Sequence, residues 1–227
     1  MNRLRNIIVF FVLLLWSCMV LAAATVIMVN GEVEMTPLRG SPIPLASGQR
    51  IEAGSMIKTG SSSNVSLRFD DGQMLALSPK SSFIINEYKF TPHKPEESNF
   101  IGSLLKGGLR AVTGIIGEKN KDNVSFKVEV ATVGIRGTDF ALHYDGELHL
   151  AVREGVIFAK NEGGEEVYDA NLYPYGKVIS AKAKPRRIKE SELPADALAT
   201  FRVLQRYPLS NTIWNPNQDD PSCEDRR

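Results

Sequence analysis

His143 and His149 flank an Asp145-Gly146 turn at a spacing that a β-hairpin would bring together. A three-residue loop, Asp145-Gly146-Glu147, sets Tyr144 against Leu148, Leu142 against Leu150 and Phe140 against Val152, which makes one face continuous core. The other face then carries His143 opposite His149 and Asp139 opposite Arg153, a cross-strand pair of opposite charge. Two facing imidazoles can share a metal ion. Tetrahedral zinc takes three or four protein ligands, however, and apart from Glu147 or a loop carboxylate there is no third at an ordered spacing, so no metal or other cofactor is assigned. The pair is read as solvent-facing histidines that titrate near neutral pH and tune a partner surface.

Arg136 is the other residue with chemical potential, because it sits between Gly134 and Gly137 on what reads as a stiff corner. A planar guanidinium there could anchor a protein partner. The tight backbone favours a lock through Asp139, Glu129 or Glu154 instead. Asp70-Asp71 before Gly72 are turn formers, since calcium needs a wider ligand set. In the hairpin they head, the expected pairs are Phe69 with Leu75 and Leu67 with Leu77, around Asp71-Gly72-Gln73. No nucleophile elbow or phosphate loop occurs: Ser61-Ser62-Ser63 follows Gly60 in a loop, and the Gly102–Gly108 run lacks a closing G-K-[ST]. Cys223 stands among Asp219, Asp220, Glu224 and Asp225, which disfavour a thiolate. No catalytic residue is assigned, and an enzyme is the weaker class.

The elements that must position these residues are strands. Val124, Phe126, Val128 and Val130 alternate, as do Phe140, Leu142 and Tyr144, with Gly134 and Gly137 bracketing the turn between them. Strand signals recur every eight to twelve residues from Thr25 to Ser180 without a βαβ rhythm. The expected fold is all-β, an antiparallel sandwich or jelly roll; glycines at 48, 54 and 60 leave a short β-solenoid as the alternative. Thr91–Ser98 and Gly117–Asn123 read as polar surface loops. Lys182, Lys184, Arg186, Arg187 and Lys189 form a basic linker. Leu198, Phe201, Leu204 and Tyr207 follow at helical spacing before Pro208, so one C-terminal amphipathic helix is expected, then a loose tail from Ser210.

These segments resemble the periplasmic FecR domain, named for the ferric-citrate signal transducer. The similarity runs through Gly31-Glu32-Val33, Gly48–Gly60, Val65–Leu77, Leu104–Val112 (L-L-K-G-G-L-R-A-V), Ala131–Phe140 (A-T-V-G-I-R-G-T-D-F) and Glu154-Gly155-Val156. It implies a signalling or docking module, with Gly72, Gly134, Arg136, Gly137, Thr138, Asp139, Phe140 and Gly155 as the structural signature. Fuller members carry a cytoplasmic anti-sigma segment ahead of a membrane span and receive a signal through a further periplasmic domain. Here only Met1–Asn6 precede the apolar run, so the expectation is a stand-alone periplasmic role.

Composition fits an ordinary folded domain: 43% hydrophobic and 23% charged, with a formal net charge of +1 that gives no global pull toward nucleic acid. Arg3 and Arg5, the apolar run Ile7–Leu15 and the alanines 22–24 read as a signal peptide over residues 1–24, cut near Ala24. The alternatives are lipidation at Cys18 after Leu15-Trp16-Ser17 and an uncleaved membrane anchor. The expected organisation is then a β domain over 25–181 and a linker, helix and tail over 182–227. The expected function is docking of an envelope protein through Arg136, His143 and His149, and the expected location is the periplasm. The second reading is a glycan or cell-wall binder using Tyr88, Phe90, Tyr168, Tyr173 and Tyr175; a hydrolase is third.

Overall fold

The computed structural model describes residues 22–205. Most of the segment expected to be a signal peptide, with Arg3, Arg5 and Cys18, lies outside that range, as do Tyr207, Pro208, Cys223 and the tail. The strands are β1 (Ala22–Asn30), β2 (Val33–Thr36), β3 (Ile43–Pro44), β4 (Arg50–Glu52), β5 (Met56–Thr59), β6 (Asn64–Phe69), β7 (Met74–Leu77) and β8 (Ser82–Lys89). After them come β9 (Asn99–Val112), a short helix α1 (Ile115–Lys119), β10 (Val124–Val128), β11 (Ala131–Tyr144), β12 (Leu148–Asn161), β13 (Gly164–Asp169), β14 (Tyr175–Val178), β15 (Arg186–Arg187) and a helix α2 (Ala195–Gln205).

The fold is all-β, as expected, and its arrangement is consistent with a sandwich rather than a solenoid. The path β15-β14-β12-β11-β10-β9-β7-β6-β1-β4 forms one large open sheet, mixed because β10 runs parallel to β9. Its three longest strands each change neighbours partway along. β9 pairs with β8 and β10 in its first half and with β7 and β11 in its second. β11 passes from β10 to β9, and β12 from β14 to β13. Strands that bend and switch partners turn the corners of a folded sheet, and bulges let them do so.

The bend in β11 and β12 is a pair of glycines. Register slips between Arg136 and Asp139 on β11, against Gly155 on β12. Gly155 has φ +76°, and a Cβ there would strike the Gly137 carbonyl, so only glycine lets the two backbones approach. Gly134 serves packing: Phe158 lies across it from the paired strand, in the space a side chain would take.

The main core runs through the fold as a chain of rings, Tyr88–Phe69–Phe100–Phe126–Phe140, with centroids 5.1 to 5.4 Å apart in tilted and edge-on pairs. Val124, Phe126, Val128 and Val130 all point into it. A second, smaller core covers the other side of the sheet, where Ala197, Phe201 and Leu204 of α2 pack with Ala76, Val112 and Ala141. The buried spacing of α2 matches the expected helix. Pro194 precedes it, where its ring removes no helical hydrogen bond.

Several expectations change. The turn before β11 is Glu129-Val130, between paired Val128 and Ala131, so Gly134–Gly137 lies inside a strand and not at a corner. The hairpin of β6 and β7 pairs Leu67 with Leu75 and Val65 with Leu77; its loop is Asp70-Asp71-Gly72, because the Phe69 amide already bonds the Gln73 carbonyl. Residues 117–123 are helical turns rather than loop. Within the basic linker, Arg186 and Arg187 add a strand to β14 and Ile188 is buried. Gly31-Glu32 is a turn, and the strand that opens the body is β1.

Candidate functional site

The hairpin of β11 and β12 has the expected register from Phe140↔Val152 through His143↔His149 to Tyr144↔Leu148. The loop chemistry set it: Gly146 takes φ +84° in a three-residue connection. At the bulge the register departs, and Asp139 stands opposite Glu154 rather than Arg153. The extra residue re-aims Arg153, whose Nε still reaches within 3.9 Å of Asp139 Oδ2.

The face carrying the histidines is covered, which overturns the expectation that it meets solvent. His143 is 8% and His149 4% exposed. His143 Nε2 lies 3.2 Å from Asp196 Oδ2 and its Nδ1 3.2 Å from the Thr200 hydroxyl, so the first turns of α2 dock onto the imidazole. Neither nitrogen of His149 has a hydrogen-bond partner among the described residues. Burial, with Lys177 nearby, lowers its pKa below the ordinary histidine value. No cluster of three or more metal-ligating side chains forms among the described residues.

A buried ion pair lies beside the histidines. Arg110 of β9 donates from Nε and Nη2 to the two carboxylate oxygens of Asp139 at 2.8 and 2.6 Å, and from Nη1 to the Leu204 carbonyl at 3.2 Å. One guanidinium thus joins β9, β11 and the last turn of α2. Next to it a cavity of about 140 Å³ is lined by Asp139, Val152, Arg153, Tyr175 and Phe201 among others, with no Ser, Thr, Cys, Lys or His in its wall. Sequence reasoning did not single out Arg110, although a lone arginine within the apolar run Leu109–Val112 was a readable sign of a buried partner.

Thr138 completes the lock. Its amide donates to the Thr113 hydroxyl at 2.8 Å, and its carbonyl accepts the Thr113 amide at 2.9 Å. The bulge is therefore fixed by Thr113–Thr138 and Arg110–Asp139, and not by Arg136 as the glycine-flanked backbone suggested. Arg136 is exposed and makes no ion pair or side-chain hydrogen bond among the described residues. It projects from a backbone tied down on its C-terminal side by Thr138 and Asp139.

Asp71, expected only to form a turn, is buried and heavily used. Its carboxylate accepts the Gln73 and Ile116 amides at 3.2 and 3.3 Å, and Tyr88 accepts from the Asp71 amide at 2.9 Å. Burial nevertheless pushes its pKa up to about 6. Of the aromatics considered for sugar binding, Tyr168 is fully buried and Tyr88 serves the Asp71 turn, while Tyr173 is 48% exposed under the Arg187 guanidinium at 4.0 Å.

Residues 55–158 match the protein-family model described as FecR protein, a span holding Gly72, Gly134, Arg136, Gly137, Thr138, Asp139, Phe140 and Gly155. No curated protein matches the chain. Two crystal structures of a candidate anti-sigma factor from Parabacteroides distasonis are similar, at TM-scores of 0.48 and 0.49 with 15% and 13% identity. The similarity covers 66% of this chain, and the chain spans 65% and 64% of those two. With the bulge, its buried lock and the exposed arginine all falling inside the matched span, residues 55–158 of this chain are a FecR domain.

Proposed function

We propose that this protein is a non-catalytic FecR-type signalling module of the cell envelope, carried to the periplasm by its N-terminal segment, which docks a protein partner through the β11 bulge. The observation that carries the reading is Arg136: exposed, unpaired among the described residues, and mounted on a backbone tied down just beyond it by Thr138 and Asp139. A guanidinium recognises a carboxylate through two parallel bonds, and a rigid mount lowers the entropy lost on binding. The partner that fits is a protein presenting Asp or Glu at its contact centre. With α2 docked, His143 contributes by holding that helix rather than by touching the partner, and His149 lies buried beside it.

Export is supported by the arginines and apolar run that open the chain. The test is recovery of partners from detergent-solubilised envelopes with the full chain and with Arg136→Glu as bait. A partner retained by the wild type and lost by the variant supports the reading; an identical set on both baits contradicts it.

A further inference from the structure

Three alanines that read as the end of a leader are built into the folded body. Ala22–Ala24 open β1, and β1 is not an edge: it runs between β4 and β6. Ala22 stands opposite Glu52, and Ala24 stands opposite Ile51 on one side and Phe69 on the other. The side chains of Ala23 and Ala24 are 0% exposed and belong to the main core with Ile51 and Phe69. The Ala23 carbonyl accepts the Asp70 amide at 3.4 Å, and Asp70 is gripped by both terminal nitrogens of Arg50 at 2.7 and 2.9 Å.

A peptidase cut after Ala24 would undo this corner. It would remove the first three residues of a doubly paired strand and leave backbone groups of β4 and β6 without partners at that level. It would also create an α-ammonium on Thr25, whose hydroxyl already accepts from Arg50 Nη1 at 2.9 Å, setting a second positive charge beside the guanidinium. The alanines are small at −3 and −1 of a peptidase motif, but they are equally what a tight strand interior accepts.

We infer that Ala22–Ala24 is part of the mature domain: the leader is cut upstream of Ala22 or kept as an anchor, and the Ala24–Thr25 bond is not the processing site. The inference rests on the reading of the chain as exported.

The test is expression of the full chain with its own leader in a Gram-negative host, followed by fractionation, N-terminal sequencing and intact mass of the product. An envelope or periplasmic product that retains residues 22–24, whether it begins at Met1, Cys18 or another residue before Ala22, supports the inference. A product beginning at Thr25 overturns it while leaving export intact. Uncut chain confined to the cytosol overturns the export reading itself, and this inference with it.

Discussion

Arg110 and Asp139 face each other from adjacent strands as a two-pronged ion pair at 2.8 and 2.6 Å, with side chains 7% and 11% exposed. Such a pair is costly to break one-sidedly, because the surviving charge stays buried. Asp139→Ala should therefore lower the unfolding free energy by about 3–5 kcal/mol, whereas Arg110→Met with Asp139→Leu should recover most of that loss. Urea unfolding of the three proteins checks it. Equal stability of the single and double variants would contradict the account.

Asp71 gives the domain an unusual acid response. Its pKa is raised in the fold, so the folded state holds the proton more tightly than the unfolded chain. Its contribution is complete below the ordinary Asp range and is lost as pH rises through about 6, a loss of about 2–3 kcal/mol. Asp71→Asn should remove that slope, measured as the difference in unfolding free energy between pH 4 and pH 7.

His149 works in the opposite sense. Its pKa is lowered, so protonation favours the unfolded chain and stability is lost as pH falls below about 6.5. His149→Phe should flatten this branch. Urea unfolding of the wild type and the variant at pH 7 and at pH 5.5 measures the difference.

Gly155→Ala should cost about 2 kcal/mol or more, since it combines a left-handed backbone with collision against the Gly137 carbonyl. A substitution at Gly72, which also has positive φ but open space around it, should cost less. Thermal unfolding of Gly155→Ala and Gly72→Ala ranks the two.

How much was legible can be seen at the two hairpins. The 144–148 register follows from alternation plus a loop with glycine at its centre, and both signals are local. At 69–73 the same alternation places the loop one residue late, because Asp71 reads as an exposed turn residue and is in fact drawn inward by the Tyr88 hydroxyl and the Ile116 amide. The histidines show the larger gap. Their pairing is readable from the strand period, but the cover over His143 comes from α2, whose contact residues Asp196 and Thr200 lie more than fifty positions away from it. Arg136 was found by its glycine neighbours, and its role changed because the lock is made by Arg110, on a strand that no local pattern brings to it.

The proposal that Arg136 anchors a protein-docking face is tested by photo-crosslinking from that position in living envelopes. A crosslinking residue at position 136 should yield one discrete adduct, while the same residue at exposed Lys160, on the far half of β12, should not. Arg136→Lys should weaken capture about tenfold or more, as expected when a two-pronged contact becomes a point charge, with thermal stability unchanged. No adduct at 136, or equal adducts at 136 and 160, would contradict the account.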